Sequence, residues 1–459
     1  MKTERVLKPL QMFWVCSSVL LLVSAVDAQE TRKLANDYRE WQRFDSRARG
    51  QATKGKSKSR TAAQKGRQGD DWPQFRGPGG LGTSAATGIP TQWTPQNIVW
   101  KAELPGPGTA SPVVIGDRVF FTCYSGDSSG ADKLARQVVC LDRSTGRVAW
   151  TREVASKFPD QPNIREGHGY ASSTPASDGE HVYVFFGKSG VFAFGLDGRP
   201  VWRADVGGEL HGWGSAASPV LSGNLVIVNA SVERESLIAL DRRTGKEVWR
   251  ANGIRESWNT PLLVPVGAKT EVVVAIQGKV LGFDAESGAP LWSCATDIAW
   301  YMVPSMVAHD AVIYSIGGRS GGALAVRAGG RGDVTTSHRV WTGRKGSNVS
   351  SPIFHKGHLF WAHDNLGIVY CADAKSGAIV YEQRLERAGQ FYASPVLAGG
   401  NLYYVSRRGR IYVVAATPEF QLLATNDLGD DSTFNASPAV AGNRLLVRSD
   451  RYLYCIGQK

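Results

Sequence analysis

The sequence has few cysteines and no long apolar run beyond its first 28 residues. Of its six cysteines, the five that follow residue 28 are Cys123, Cys140, Cys294, Cys371 and Cys455. An odd number of widely spaced cysteines does not build the disulfide framework of a small exported domain. A transmembrane helix needs about 20 consecutive apolar residues, and none occurs after residue 28. The composition therefore excludes a disulfide-stapled scaffold and a multi-span membrane protein.

Residues 1–28 have the organisation of a secretory signal peptide. Lys2, Arg5 and Lys8 precede an apolar stretch, and Val26 and Ala28 provide the small residues of a cleavage site. The pattern predicts a periplasmic or secreted protein, and the alternative is an uncleaved membrane anchor.

Residues 29–70 form a basic, polar segment. They contain 12 Lys and Arg against 5 Asp and Glu, a difference of +7 within the +12 of the whole chain. Such a composition predicts a largely disordered, low-complexity tail. The tail is either a solvated spacer or a contact for an anionic surface. Nucleic acid is not an expected partner for an exported protein, and a monomer is expected.

A single motif recurs eight times between residue 71 and residue 459. Each copy begins with a small residue or Ser/Thr beside a proline, followed by an apolar run, a turn and a second apolar run, as in ASPVLAGGNLYYV (393–405). The aligned prolines are Pro112, Pro175, Pro219, Pro261, Pro304, Pro352, Pro395 and Pro438. Six of the seven intervals between them lie between 42 and 48 residues. This period is typical of propeller blades.

Each unit continues with a third apolar run, a tight turn and a fourth run. The third run ends in an apolar–Asp pair such as VVCLD, and the turn contains glycine, as in STGRVAW. The last unit stops after three runs, and residues 95–104 (PQNIVWKAEL) match the missing fourth. The sequence therefore predicts an all-β, eight-bladed β-propeller of four-stranded blades over residues 71–459, closed by an N-terminal strand that completes the C-terminal blade.

Aromatic and small residues occupy fixed positions in this repeat. The fourth run ends in a large side chain: Trp100, Trp150, Trp202, Trp249, Trp292, Trp341, Tyr381 and Leu423. This register predicts packing between blades. Cys140, Cys371 and Cys455 take a third-run position that holds Ala or Gly in other units, which predicts free, buried cysteines. A Cys123–Cys140 disulfide is the alternative.

The repeats resemble those named after pyrroloquinoline quinone (PQQ). The resemblance covers residues 71–459 and includes the lead-in DWPQFRGPGGLGTS (71–84). It implies the propeller fold and either of two functions. One branch comprises dehydrogenases that hold PQQ and Ca²⁺ on the propeller axis, and the other comprises BamB-like, non-enzymatic scaffolds of outer-membrane assembly. This chain lacks the adjacent cysteine pair and the long inter-blade excursions of the larger dehydrogenases, and it lacks a clear lipoprotein cysteine.

The segments that lead into the first strands are expected to meet at one mouth of the central channel. They carry the candidate ligand or partner residues His168, Tyr170, His211, Trp213, Trp258, Asn259, Trp300, Tyr301, Asn348, Phe391, Tyr392, Phe434 and Asn435. Such side chains stack on planar rings, sugars or peptides. The alternative is that they only fill the mouth. His355, His358, His363 and Asp364 are close in sequence, but the repeat register separates them, so no metal site is expected.

We therefore expect an exported, non-enzymatic, BamB-like binding or scaffold protein with no cofactor. Its expected partner is an envelope protein or peptide at one channel mouth. A PQQ- and Ca²⁺-dependent dehydrogenase of alcohols or sugars is the alternative, followed by a polysaccharide- or cell-surface-binding module. No catalytic residue is assigned.

Overall fold

The computed structural model describes residues 70–126, 133–162, 164, 169–319 and 321–458. The predicted signal peptide, the basic tail up to residue 69 and His168 lie outside these residues. The predicted disorder and surface contact of the tail therefore stay predictions.

The described residues form eight β-sheets arranged as the blades of one ring. Two N-terminal strands precede the first blade: β1 (Thr83–Ser84) and β2 (Ile98–Glu103). Blade one contains β3 (Val113–Ile115), β4 (Arg118–Ser125), β5 (Ala135–Asp142) and β6 (Val148–Val154). Blade two contains β7 (Ala176–Ser177), β8 (His181–Phe185), β9 (Val191–Gly195) and β10 (Pro200–Ala204). Blade three contains β11 (Val220–Ser222), β12 (Leu225–Ala230), β13 (Ser236–Asp241) and β14 (Glu247–Asn252).

The remaining blades repeat this order. Blade four contains β15 (Leu262–Val266), β16 (Lys269–Ile276), β17 (Lys279–Asp284) and β18 (Pro290–Ala295). Blade five contains β19 (Val307–His309), β20 (Val312–Gly317), β21 (Gly322–Arg327) and β23 (Arg339–Gly343), while β22 (Gly332–Asp333) pairs with β18. Blade six contains β24 (Ile353–His355), β25 (His358–Ala362), β26 (Ile368–Asp373) and β27 (Ile379–Arg384). Blade seven contains β28 (Val396–Ala398), β29 (Asn401–Val405), β30 (Ile411–Ala415) and β31 (Leu422–Asn426). Blade eight contains β32 (Ala439–Ala441), β33 (Arg444–Arg448) and β34 (Tyr452–Ile456).

Helical structure is limited to short turns among the described residues. One α-helical turn, α1 (Ser231–Arg234), and 3₁₀ turns at Pro78–Gly80, Pro95–Asn97 and Gly187–Ser189 are present. No described helix has the length and apolar character needed to cross a membrane.

The predicted ring closure is confirmed. β2 pairs antiparallel with β34, with Trp100 opposite Cys455 and Ala102 opposite Leu453. The N-terminal strand is therefore the fourth strand of blade eight, and every blade has its four repeat strands, to which β22 adds a short fifth in blade four and β1 in blade seven.

The antiparallel order of each blade fixes which loops share a face. First strands run away from the lead-in segments, so the turns between second and third strands return to the lead-in side. We call this side the upper face, and we call the side with the other turns the lower face. The candidate residues of the lead-in segments therefore lie on the upper face.

A belt of Ser and Thr hydroxyls joins neighbouring blades around the axis; we call it the girdle. In each link, the backbone N–H of one girdle residue donates to the hydroxyl of the next, at 2.9–3.1 Å. The girdle contains Ser111, Thr174, Ser218, Thr260, Ser305, Ser351, Ser394 and Ser437.

The girdle corrects the sequence alignment of blade five. Ser305 occupies the position that precedes proline elsewhere, so Met306, not Pro304, stands in the proline position. The backbone N–H donors and hydroxyl acceptors of the girdle set this register, and proline is only the residue that most often follows the girdle residue.

The recurring tryptophans pack between blades, as predicted. The Trp202 indole N–H donates to the Arg242 carbonyl of the next blade at 2.9 Å, and its ring covers the turn residue Gly245. Trp100, Trp150, Trp249 and Trp341 make the same pair of contacts with the blade that follows. Trp292 differs, because its N–H donates to Glu271 of its own blade at 2.7 Å.

The small-residue position on the third strand faces this tryptophan. Cys140 pairs with Trp150, Cys371 with Tyr381, and Cys455 with Trp100. The five described cysteines are free and buried. In blade seven Val413 pairs with Ala424, so the prediction that Leu423 takes the large position is wrong by one residue. Leu423 sits instead at the β-bulge of this strand and is exposed.

The segment before β2 crosses the lower face. Trp72 pairs with Val114 of blade one, and Arg76 donates to the Pro352 carbonyl of blade six. β1 pairs in parallel with β28 of blade seven. The turn at Pro78–Gly80 also contacts β15 of blade four, so the segment reaches blades one, four, six and seven and spans the lower mouth, and Phe75 lines the axial channel beside the girdle.

The tryptophan contacts give a stability prediction. Gly245 has φ +72°, and an added Cβ would lie 2.6 Å from the Trp202 ring. We expect Gly245→Ala to lower the free energy of unfolding by roughly 2–5 kcal/mol, from left-handed strain and overpacking together. Denaturant unfolding followed by tryptophan fluorescence measures this loss.

Gly223 provides the matched control in the same blade. It has φ +54° but open space around an added Cβ. Gly223→Ala should cost only about 1–2 kcal/mol, the strain part alone. Equal losses in the two variants would contradict the packing role of Trp202.

Candidate ligand-binding mouth of the channel

The upper mouth carries a contiguous aromatic wall on the lead-ins of blades three to five. The His211 and Trp258 rings are 4.8 Å apart, and Trp258 and Tyr301 are 5.5 Å apart. Tyr301 also contacts Trp213 at 5.8 Å and Trp300 at 5.4 Å. The structure therefore brings these five predicted residues together in one surface.

Three predicted residues are buried in structural roles. Asn259 is fully buried, donates to the Ala275 carbonyl at 2.6 Å and accepts from the Ala275 N–H at 3.1 Å. Phe391 packs against Tyr404 and Tyr412, and Phe434 packs against Tyr454. These side chains hold the lead-ins in place and do not face the mouth.

The opposite side of the mouth is polar. Asn348 donates from its backbone N–H to Asp364 Oδ1 at 2.9 Å, and Asn365 Nδ2 donates to Asp364 Oδ2 at 2.6 Å. The Arg407 guanidinium lies 4.4 Å from the centre of the Tyr392 ring and donates to Asn435 Oδ1 at 2.9 Å. Asn348, Tyr392 and Asn435 were predicted from the sequence.

Arg319, Asp364, Asn365 and Arg407 were not among the predicted site residues. They come from turns between second and third strands, which the antiparallel order places on the upper face. The repeat register could have identified these residues, because the turns that carry them follow the second strand of each unit. The lead-ins precede the first strand, so both kinds of segment lie on the same face.

A cavity of about 380 Å³ lies between the aromatic and polar sides. Trp213, Trp258 and Tyr301 line one side, and Asn348, Asp364, Asn365, Tyr392 and Arg319 line the other. Ala216, Val303 and Val349 complete the lining. We call it the axial cavity. Its volume is within the range of about 300–1,000 Å³ that is usual for small-molecule sites.

A larger open groove of about 860 Å³ runs beside the mouth across blades three and four. It is bordered by charged residues of both signs, including ion pairs between Lys157 and Asp205 at 3.0 Å and between Arg255 and Glu235 at 2.6 Å. Leu210, which is 37% exposed, and Trp258 add apolar surface. We call it the upper groove.

The fold and mouth can now be compared with known proteins. The family model described as outer membrane protein assembly factor BamB matches residues 94–252 and 187–418. The chain belongs to this family of PQQ-like propellers.

Individual relatives and solved structures with different functions are similar to this chain. Outer membrane protein assembly factor BamB of Burkholderia pseudomallei is 25% identical over 373 residues, covering 68% of this chain and 86% of the relative. The crystal structure of BamB from Moraxella catarrhalis has a TM-score of 0.57 at 16% identity, covering 78% of this chain and 96% of that chain. The crystal structure of quinohemoprotein alcohol dehydrogenase from Comamonas testosteroni has a TM-score of 0.63 at 12% identity, covering 85% of this chain and 80% of that chain. These structural likenesses show the fold alone.

The axial cavity does not fit the cofactor of the dehydrogenase branch. PQQ carries three carboxylates, whereas the described lining has one guanidinium, Arg319, and one carboxylate, Asp364. Among the described residues no three His, Cys, Asp or Glu side chains form a group able to hold a metal ion. His355 and His358 lie at the lower-face turn, while His363 and Asp364 lie at the upper face.

A buried charged cluster supports the mouth under blades two and three. Arg136 and Asp160 form an ion pair at 2.5 Å, and Tyr170 donates to the Gln161 carbonyl at 2.9 Å. Glu233 is buried and accepts a hydrogen bond from Ser215. Burial raises the pKa of Glu233 to about 7, with a further contribution from the Asp160 charge.

This pKa predicts a specific pH dependence of stability. Between the unfolded pKa of Glu233 and about 7, the folded protein keeps a proton that the unfolded chain has released, so stability falls as pH rises. Relative to wild type, Glu233→Gln should gain roughly 2–3 kcal/mol between about pH 5 and about pH 8. Denaturant midpoints at the two pH values measure the difference. A gain that is independent of pH would contradict a titrating Glu233.

Proposed function

We propose that this protein is an exported, non-catalytic binding propeller of the cell envelope that holds a segment of an envelope protein in the upper groove. The observation that carries the proposal is the asymmetry of the two faces. The N-terminal segment spans the lower mouth, whereas the upper face presents the open groove and the aromatic wall.

The shape and charge of the upper groove suit an extended peptide. It is open along its length, and its charged border carries Lys157, Arg255, Asp205 and Glu235 in both signs. Mixed charges at a rim select partner and register, while the exposed apolar surface of Leu210 supplies contact area.

The family relationship supports an envelope role. The Burkholderia pseudomallei relative is an outer membrane protein assembly factor, and it matches most of this chain. The signal peptide predicted at residues 1–28 agrees with export. We extend to this chain the role of a scaffold that binds envelope proteins.

A crosslinking experiment tests the proposal. A photoreactive residue replaces Leu210 in the upper groove, and the full-length protein is irradiated in the envelope of the producing cell. We expect a discrete adduct with one envelope protein, identified by mass spectrometry and then reproduced with the purified partner.

The control places the same photoreactive residue at Val248. This side chain is 53% exposed on the outer strand of blade three and does not border the upper groove. Adducts of equal yield from both positions, or no adduct from position 210, would refute partner binding in the groove.

The dehydrogenase alternative, with which this chain shares the propeller fold, has its own test. PQQ is titrated into the full-length protein with and without Ca²⁺ while tryptophan fluorescence is recorded. We expect no saturable quenching at about 10 μM PQQ, because the described cavity lining is uncharged overall. Calcium-dependent, saturable quenching at that concentration would refute the scaffold proposal and support a PQQ-dependent dehydrogenase.

A further inference from the structure

The axial cavity lies beside the upper groove and has a different chemistry. Its aromatic side offers the rings of Trp213, Trp258 and Tyr301. The Trp258 indole N–H already donates to the Gly214 carbonyl at 2.7 Å, so this ring contributes a largely apolar surface. Aromatic faces carry negative partial charge and attract the positive edges of C–H bonds.

The facing side offers hydrogen-bond acceptors. Asp364 is 3% exposed, and each carboxylate oxygen accepts one described hydrogen bond while retaining a second lone-pair site. Both described donors to Asp364, the Asn348 backbone and the Asn365 amide, are neutral groups. A buried carboxylate of this kind binds donors from a ligand strongly.

The basic side chain beside Asp364 is His363, which is not part of the cavity lining. His363 Nδ1 lies 3.6 Å from Asp364 Oδ1 and accepts the Asn365 backbone N–H at 3.1 Å. The hydrogen bond occupies the Nδ1 lone pair, so Nδ1 is not a described donor to Asp364.

The charges of the described lining sum to zero. Arg319 supplies donors at the outer edge, where its guanidinium lies 4.9 Å from the centre of the Trp300 ring. One positive and one negative side chain favour a neutral ligand, one that both donates to Asp364 and accepts from Arg319. Hydroxyl groups do both, and a pyranose ring adds a flat C–H face for the aromatic wall.

From these observations we infer that the axial cavity binds a neutral hexopyranose unit of an oligosaccharide or polysaccharide, stacked on the aromatic wall with its hydroxyls on Asp364. The inference rests on the proposed function, because it assumes that the upper face binds ligands without catalysing a reaction. It adds a saccharide site that adjoins the peptide groove at Trp258.

The test uses full-length protein and three probes: cellotriose, maltotriose and triacetylchitotriose. Saturation-transfer NMR and tryptophan fluorescence report binding. We expect at least one trisaccharide to bind with a Kd of about 1 mM or tighter. The corresponding insoluble polysaccharide in a pull-down distinguishes a polymer ligand from a free oligosaccharide.

One residue of the cavity and one far from the mouth give a pair of variants. Trp213 lines the axial cavity, whereas Val248 is 53% exposed on the outer strand of blade three and lines no part of it. Trp213→Ala should weaken binding at least tenfold, and Val248→Ala should leave the Kd within about twofold. Asp364→Asn, which keeps the side-chain shape, should also weaken binding about tenfold or more.

Binding by none of the three probes would overturn the saccharide site, as would binding that survives both Trp213→Ala and Asp364→Asn. The crosslink from position 210 separates this failure from that of the proposed function. It should persist unchanged in Asp364→Asn, because Asp364 does not border the upper groove.

Discussion

The girdle of Ser and Thr hydroxyls is the interaction on which the other features of this propeller depend. Seven of the eight hydroxyls accept from the backbone of the preceding blade, so the innermost strands of blades two to eight begin at a fixed height and distance from the axis. One such bond contributes about 1 kcal/mol, but seven consecutive links together fix the spacing of the blades from one to eight. At the junction of blades eight and one, the Ser111 hydroxyl has no described partner, and Arg448 instead donates to the Ala110 carbonyl at 2.7 Å.

The mouth follows directly from this constraint. Trp258 precedes girdle residue Thr260 by two positions, and Tyr392 precedes Ser394 by two. Side chains so close to a fixed backbone point can vary in type without changing the ring. The same fold can therefore place aromatic side chains on one half of the mouth and amides with Asp364 on the other. These local side chains, and not the fold, determine which ligand binds.

The repeat period, the strand order and the closing strand were predictable because the same four-strand motif recurs along the chain. The closing strand was recognised as the one strand missing from the last copy. The Cys140 and Cys455 positions followed from the same register, since a small residue must stand opposite each tryptophan. Two errors arose where a unit departs from its neighbours. Blade five has Met306 in the proline position, and the fourth strand of blade seven has no aromatic side chain to mark its register, so its bulge could not be placed.

The candidate site was only half predictable. Lead-in residues were found because the repeat marks them, but Asn259, Phe391 and Phe434 are buried by contacts that sequence spacing does not reveal. Asp364 and Arg319 were missed because their importance depends on antiparallel topology, which brings turns from two neighbouring blades to one cavity. Burial and hydrogen-bond partners, rather than residue type, separate structural from exposed members of the mouth.

The pairing of β2 with β34 also sets an order of events during synthesis. The closing strand leaves the ribosome early, and its partner is made about 350 residues later. At a usual rate of roughly 5–20 residues per second, that strand waits for tens of seconds with its hydrogen-bonding edge unsatisfied. Lys101 and Glu103 alternate with buried residues along it, and charges at such positions discourage pairing with other chains. β34 completes the ring, so a nascent chain that stops before β34 would expose the open edges of both β2 and β33, and quality-control proteases could recognise these edges.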